Sequence, residues 1–432
     1  MTMRKHFTGF AVSALALAVS AQALAGTVTT DGADIVISTK SGLEVATTDK
    51  QFSFKLGGKL QWDVTSFDGL RAAGNPEPFG TTTDSFIRRG ELSLEGVAYK
   101  NWGYGFRFAY DDEDDTKFDR AFFTYTGFEP VQFTIGKFRV DYGLEKTTSS
   151  SWITGIERGF MYDFLNGDED TEFGVTTFHG GENYGLMATL ANRDEKEEDG
   201  NKDTYQYTLR GTFTPYMDGT DVIHLGANYH NSNPDDKASV KASTRMGIRS
   251  DDDNKLTFAQ TTAENDSEWV LESGAQFGAF RAQAEIWQRS IDGKAANSDI
   301  DMSGYYGQVS YMFNGVRKYK PGVGKWDKPS EAGAIEVFAR YENANIDADT
   351  GAVKSSLMSN GVLAAVPVQD TSDDFDAKSF VIGVNYFPTP AVRVSLNYVD
   401  YEVDNIDTSA TVKGKSVEDD GKAIVGRLQY VF

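Results

Sequence analysis

The sequence predicts an all-β protein, specifically a transmembrane antiparallel β-barrel of about 16 strands. Three features support this fold class: an N-terminal export signal, short segments of alternating apolar and polar residues after Gln51, and a closing segment that ends in Phe432. Only alternate residues of a barrel strand face lipid, so such a chain stays polar overall.

Residues 1–25 have the features of a secretory signal peptide. Arg4 and Lys5 supply a positive start, Phe10 to Val19 an apolar stretch, and Ala23 to Ala25 a small-x-small cleavage site. We therefore expect the mature chain to begin at Gly26. No later segment has the roughly 20 apolar residues that a transmembrane helix needs.

The mature chain divides into a short N-terminal periplasmic arm, residues 26–50, and one barrel domain, residues 51–432. Tight turns alternate with long connections along the barrel domain, which is typical of outer-membrane barrels. The predicted strands start near Phe52, Phe86, Tyr104, Phe118, Val131, Glu172, Tyr184, Thr204, Val222, Glu268, Phe280, Ser303, Ala334, Ser379, Ala391 and Ala423.

Two predicted hairpins show the alternation clearly. Val394 and Leu396 share one face of a strand, and Arg393 lies on the other. In another hairpin, the face that carries Glu272 and Glu285 would meet water in a soluble sandwich, or a water-filled lumen in a large barrel. Alternation does not distinguish these folds, but the number of strands and the loop lengths favour the barrel.

The last strand places Leu428, Tyr430 and Phe432 on one face. A terminal aromatic residue would lie in the interfacial girdle of a membrane barrel. We expect this strand to contact the barrel-assembly machinery, and the outer face to contact outer-membrane lipid and lipopolysaccharide.

Charge and composition exclude several functions. The chain has 42 Lys and Arg against 64 Asp and Glu, a net charge of −22, which argues against nucleic acid as a partner. Cysteine is absent, so no disulfide contributes. Acidic runs at Asp111–Asp115, Asp168–Asp170, Glu195–Asp199 and Asp251–Asp253 are interpreted as solvated loops, with a divalent cation clamp as the alternative.

The histidines do not support an enzyme. Only His179, His224 and His230 remain after signal removal, and they lack metal-ligand spacing. No Gly-x-Ser-x-Gly elbow or phosphate-cradling glycine loop is present. We expect no catalytic residue, metal or cofactor.

The informative residues are cations near the predicted strands. Lys55 and Lys59 alternate with apolar residues, which places both amines on the opposite face. Arg88 and Arg89 are adjacent, so only one of them can point inward from a regular strand. Lys146 precedes a run of hydroxyl residues, a combination that suits an oxyanion which must bind and then leave.

Two further basic groups occur in loops. One is Lys241, Arg245 and Arg249; the other includes Lys320 and Lys328, between the twelfth and thirteenth strands. Such groups raise the local concentration of anions at a channel mouth, or they only balance neighbouring carboxylates.

Several stretches resemble one known family. They are Gly26–Ile37, Gly42–Lys50, Phe54–Gly58, Thr124–Phe128, Gly143–Lys146, Arg245–Gly247 and Leu428–Phe432. Over most of its mature length the chain is similar to the phosphate- and polyphosphate-selective porins, the porin O and P family. The resemblance implies an outer-membrane homotrimer of 16-stranded barrels, each with a pore narrowed by an infolded loop.

The resemblance also implies roles for individual residues in passive diffusion of phosphate or polyphosphate. Lys146 would be the main anion ligand at the constriction, and Lys59 stands where the family tends to have Arg. The other constriction residues would be Arg88, Arg89, Ser149, Ser150, Arg158 and Asp119. A basic ladder would comprise Lys55, Lys241, Arg245, Arg249, Lys320 and Lys328.

The chain departs from the family pattern at the eyelet. Glu91 and Arg139 replace two aromatic residues, and we expect them to pair across the lumen. Ser243, Gly103 and Ser151 replace basic residues. These departures leave the preferred anion open. A general or weakly cation-selective porin, and a plugged structural barrel, remain the alternatives.

Overall fold

The computed structural model describes residues 27–432, apart from 29–33, 40–41, 73–79, 112–115, 168–170, 194–204, 235–238, 251–254, 360–365, 368–373, 407, 410, 413 and 417. The predicted signal peptide and most of each acidic run lie outside the described residues. Within the described part, no helix is long and apolar enough to cross a bilayer. No group of three or more His, Asp or Glu residues there is arranged to hold a metal ion.

Sixteen antiparallel strands form the wall of the molecule, and we number them in chain order. They are β1 Phe52–Phe67, β2 Thr82–Ala98, β3 Trp102–Asp111, β4 Thr116–Phe128, β5 Val131–Lys137, β6 Thr171–Gly180, β7 Tyr184–Arg193, β8 Tyr205–Asp218, β9 Asp221–Ser232, β10 Leu256–Phe277, β11 Phe280–Gly293, β12 Ile300–Phe313, β13 Ala334–Ala348, β14 Asp374–Thr389, β15 Val392–Val403 and β16 Asp420–Val431. Each strand pairs with the next, and β16 pairs with β1 from Ala423 opposite Phe67 to Val431 opposite Lys59. The predicted barrel is confirmed.

Apolar and polar side chains alternate along the strands, as a membrane barrel requires. On β15, Val394 and Leu396 are 45% and 51% exposed, whereas Arg393 is fully buried. The closed ladder places the apolar face outward, toward lipid, and the polar face toward the lumen. The sandwich alternative is therefore excluded.

The two ends of the barrel differ in their connections. The end that carries the chain termini has tight turns, at residues 99–101, 129–130, 181–183, 219–220, 278–279 and 390–391, and is the periplasmic end. One connection there is long. Residues 314–333, which we call the periplasmic hairpin, contain the paired strands Arg317–Lys320 and Lys325–Pro329. Its Trp326 is buried against Leu144 and Val222, so the hairpin folds into the lumen.

The connection between β5 and β6 also folds inward, and we call its described part, residues 138–167, the constriction loop. It contains the helix α1 Leu144–Thr147 and the 3-10 turn Phe160–Asp163. Tyr142, Ile156 and Phe164 of this loop are almost fully buried in the main apolar core. That core combines inward-facing strand residues such as Trp287 with loop residues such as Ile248, and it holds the constriction loop in place.

Strand β10 begins at Leu256, earlier than the alternation predicted, because its first residues extend beyond the membrane wall. There they pair with the loop strands Ser239–Thr244 and Val353–Ser359. The remaining short elements are the 3-10 turn Leu70–Ala72 and the strands Val366–Pro367, Thr411–Val412 and Lys415–Ser416.

The N-terminal arm is joined to the barrel by strand pairing. Strands Thr27–Val28, Ile35–Ser38 and Leu43–Thr47 form a small antiparallel unit, and the last of them pairs with the start of β1. Just beyond that contact, the backbone N–H and C=O of Phe432 exchange 3.0 Å hydrogen bonds with Gly58. The arm therefore continues the sheet where β16 ends.

Candidate functional site

Most of the hydrogen bonds that hold the constriction loop come from one side of the barrel wall. Arg393 of β15 donates to the carbonyl oxygens of Ile153 at 2.8 Å, Thr154 at 2.8 Å and Gly155 at 3.1 Å. On β11, Glu285 accepts a 2.7 Å hydrogen bond from the backbone N–H of Leu144. Guanidinium groups thus bind loop carbonyls, and carboxylates bind loop amides.

Other residues of the barrel wall bind the loop in the same two ways. Arg289 and Arg427 donate to the carbonyls of Phe164 and Ile156. Glu268 accepts from the amides of Asn166 and Gly167, and Glu342 from that of Phe160. These anchors lie on β10, β11, β13, β15 and β16, so the loop lies against that part of the wall.

The space on the opposite side forms a cavity of about 310 Å³ beside β1 to β4. The constriction loop and the periplasmic hairpin complete its walls. Its lining has two acidic side chains, Glu91 and Glu95, and serine residues such as Ser93 and Ser149. Six cations also line it: Lys55, Lys59, Arg107, Arg120, Arg139 and Lys325. An acidic chain therefore encloses a basic cavity.

Lys59 joins the wall to the loop at this cavity. Its ammonium lies 2.7 Å from Glu91 Oε1 and donates a 2.8 Å hydrogen bond to Ser150 Oγ. Ser150 is buried, whereas Ser149 is exposed. Both serines line the cavity, and Ser149 presents its side chain to solvent there.

The expected pair between Glu91 and Arg139 is wrong. Glu91 instead contacts Lys59 and, at 3.2 Å, Arg107, while Arg139 lies 3.7 Å from Asp141. Lys59 is the direct neighbour of Glu91 across β1 and β2, and Arg107 is a diagonal neighbour on β3. Side chains at such positions are within reach of each other on one face of a sheet.

The expectation that only one of Arg88 and Arg89 points inward is also wrong. Arg89 is paired with Gln61 and Ile87 with Trp62, so Arg88 is the extra residue of a β-bulge. Both guanidinium groups reach the loop carboxylate of Glu157, with Arg88 Nε at 3.1 Å and Arg89 Nη2 at 3.5 Å.

A second β-bulge occurs on β4. Arg120 is paired with Arg107 and Phe118 with Phe108, which leaves Asp119 as the extra residue. Asp119 lies 3.4 Å from Arg120 and 3.7 Å from Arg107. The carboxylate is thus next to two cations of the cavity.

The structure places Lys146 and Arg158 around helix α1. Arg158 donates to the carbonyl oxygens of Glu145 at 3.2 Å, Lys146 at 3.3 Å and Thr148 at 3.0 Å. Arg158 therefore stabilises the C-terminal end of the helix that carries Lys146. The side chain of Lys146 is half-buried and is not among the residues that line the cavity.

The predicted ladder residues fall at both ends of the barrel. Lys241 is exposed, and Arg245 is buried with its backbone N–H 2.8 Å from Asp163 of the constriction loop. Burial lowers the pKa of Arg249 to about 10, and Arg88 and Arg245 add repulsion. Lys320, which is exposed and lies 3.0 Å from Asp327, and the half-buried Lys328 are instead on the periplasmic hairpin.

Comparison with known proteins decides the family. Residues 54–432 match the family described as phosphate-selective porin O and P. The chain belongs to this family. It is 40% identical, over 461 aligned positions that cover both chains completely, to Porin O of Pseudomonas aeruginosa. The protein is therefore a bacterial outer-membrane porin and not an enzyme.

Solved structures support the fold at lower identity. OmpT of Vibrio cholerae superimposes with a TM-score of 0.53 at 14% identity, over 88% of this chain and 98% of that one. An anion-selective porin from Comamonas acidovorans gives a TM-score of 0.53 at 14% identity, over 88% and 100%. At this identity the likeness concerns the barrel alone.

Among the departures from the family pattern, Ser151 lines the cavity, Gly103 lies near the start of β3, and Ser243 is half-buried in a loop strand. Sequence reasoning missed Arg107, which alternates with Phe106 and Phe108 and so was recognisable as facing the lumen. It also missed Glu157, for which no pattern in the sequence gives a signal.

Proposed function

We propose that this porin passes small anions of the phosphate type by passive diffusion, past the six-cation cavity. The observation that carries the proposal is the contrast between that lining and a chain of net charge −22. A cluster of one sign inside a low-dielectric wall raises the local concentration of the opposite charge. Hydroxyl groups on the loop replace water around an anion while letting it leave.

The route begins at the extracellular loops with Lys241, Arg245 and Arg249. It passes Arg88, Arg89 and the loop segment with Lys146 and Ser149. It ends beside Lys59, Arg139 and Lys325, with Lys320 and Lys328 at the periplasmic exit. Phosphate and polyphosphate remain the proposed substrates, because each carries several oxygens that can accept from successive donors.

A weakly cation-selective porin is the competing function, and Glu91 is the residue that favours it. Its charge is balanced by Lys59 at 2.7 Å and Arg107 at 3.2 Å, so it adds no net negative field to the cavity. The alternative of a plugged barrel is favoured by the constriction loop and the periplasmic hairpin, since both fold into the lumen. The cavity that remains beside β1 to β4 argues against complete closure.

We further propose a homotrimer, consistent with the trimer form described for OmpT of Vibrio cholerae, which has a TM-score of 0.51 to this chain. The same proposal includes three further points. The chain is exported and cleaved before Gly26, and its outer face contacts outer-membrane lipid and lipopolysaccharide. The barrel-assembly machinery recognises the C-terminal strand.

The decisive experiment is the reversal potential of the purified porin in planar bilayers, first across a chloride gradient and then across a phosphate gradient. We expect an anion preference in both and a chloride current that phosphate blocks. A preference for cations would overturn the proposal. Lys146→Glu should weaken the block, and an unchanged block would remove Lys146 from the site.

A further inference from the structure

We propose that Glu157 of the constriction loop is a built-in competitor of the transported anion, and that it determines how tightly Arg88 and Arg89 hold a phosphate-like ion. The inference rests on the proposed anion permeation. It concerns a carboxylate that belongs to the pore itself and occupies the donors that a passing oxyanion would use.

The geometry places Glu157 at the centre of an arginine cluster. Its Oε1 lies 2.6 Å from Arg427 Nη2 and 3.1 Å from Arg88 Nε, and its Oε2 lies 3.5 Å from Arg89 Nη2. The side chain of Glu157 is only 10% exposed. Arg427 also binds Asp63 of β1, at 2.6 Å.

Glu157 is ionised in this position. Burial opposes its charge, but Arg88, Arg89 and Arg427 together hold the pKa of the carboxyl well below its ordinary value. Arg249 adds a further favourable charge from the extracellular side. The cluster therefore has three guanidinium groups in contact with one loop carboxylate, with Asp63 as the second anion.

A carboxylate and a phosphate bind guanidinium in the same way, through oxygens that accept from its planar N–H donors. Because Glu157 is tethered to the loop, it competes at a high and constant effective concentration. Without it, buried arginines would bind a doubly charged anion strongly, and a pore site must be weak enough to empty. Glu157 thus lowers the affinity of the arginines for the anion and so increases the flux of the anion through the pore.

Tethered competition also discriminates among anions. An ion must replace the oxygens of Glu157 at two arginines at once. Phosphate offers several acceptor oxygens on one atom and can do so, whereas chloride is a single sphere without directional acceptors. Exchange with Glu157 therefore favours oxyanions over halides at this point of the pore.

The test uses the full-length porin in planar bilayers. In Glu157→Gln, which preserves shape and removes the charge, the phosphate concentration that halves the chloride current should fall by about ten-fold, the effect of one charged hydrogen bond. Phosphate current at saturation should fall as well. Glu95→Gln removes the same charge from the cavity lining without an arginine cluster and should shift the block far less.

An unchanged or weaker block in Glu157→Gln would overturn the inference. A purely structural role for Glu157 predicts noisier current without a tighter block. If Glu157→Gln does not assemble, Glu157→Asp keeps the charge but withdraws it from the arginines, and the half-blocking concentration should then fall by a smaller factor; an equal or higher value overturns the inference. The proposed function is judged separately, by the ion preference of the unaltered porin.

Discussion

The ammonium of Lys59 lies 2.7 Å from the carboxylate of Glu91, directly across the first two strands of the barrel. The same carboxylate binds Arg107. Two of the six cations that line the cavity are thereby held to the wall by one acidic residue.

Glu91→Gln should release both cations toward the cavity. We expect phosphate to block chloride current at a concentration lower by about ten-fold or more, since a charged hydrogen bond contributes roughly 1.5–3 kcal/mol. The measurement is a phosphate titration of single-channel current. Glu95→Gln is the matched control, because Glu95 lines the same cavity from the same strand. Equal effects of the two substitutions would contradict the pairing argument.

Arg393→Met should loosen the constriction loop. The substitution leaves the carbonyls of Ile153 and Gly155 without their Arg393 donor, and that of Thr154 with Asn385 alone, at a cost of roughly 2–4 kcal/mol. We expect noisier open-channel current and faster proteolysis within the loop. Lys422→Met, at an exposed position of β16, should change neither. A loop as resistant to protease as that of the unaltered porin would show that the other anchors suffice.

Trp326→Ala should release the periplasmic hairpin from the constriction loop. Trp326 is 2% exposed and packs against Leu144, and removing a buried tryptophan side chain costs about 3–5 kcal/mol. Single-channel conductance should rise, because the hairpin no longer narrows the lumen. Lys320→Arg, which keeps the positive charge on the exposed face of the same hairpin, should leave conductance unchanged. Conductance that does not change in Trp326→Ala would mean that the hairpin does not limit the current.

Anion selectivity should begin to decline at a lower pH than the pH at which an ordinary lysine loses its charge. Burial lowers the pKa of Lys325; Asp141 partly opposes this, and Arg139 adds to it. As pH rises, Lys325 therefore loses its positive charge below the usual range for lysine, and the cavity becomes less basic. Reversal potentials measured between neutral pH and about pH 10 test this. Lys325→Arg should remove the part of the decline that is due to Lys325. If the variant has the same pH profile as the unaltered porin, another group causes the decline.

Most of the barrel was predictable from the sequence because strand periodicity depends on local chemistry. The alternation of Val394 and Leu396 with Arg393 needs only a wall with lipid on one side and polar groups on the other. The early start of β10 was not predictable in this way. Its first residues pair with loop strands that are distant in sequence, so no membrane face imposes a period on them.

The candidate site was less predictable because its contacts join distant segments. Basic residues between β12 and β13 were visible, but the insertion of Trp326 into the lumen depends on a partner in the constriction loop. A bulge leaves no trace when both residues are polar, as with Arg88 and Arg89. The partners of Glu91 follow from strand register, which alternation alone does not fix.

The bulge at Arg88 makes the pore tolerant of a change in chain length. Before it, even-numbered residues such as Phe86 face inward, and after it odd-numbered residues such as Glu91 do so. Deleting Arg88 would therefore restore a regular ladder and leave both flanks facing as before, with one cation fewer in the lumen. At this position, and at Asp119 on β4, deleting one residue removes a pore charge from this chain without changing which residues of the wall face the lumen.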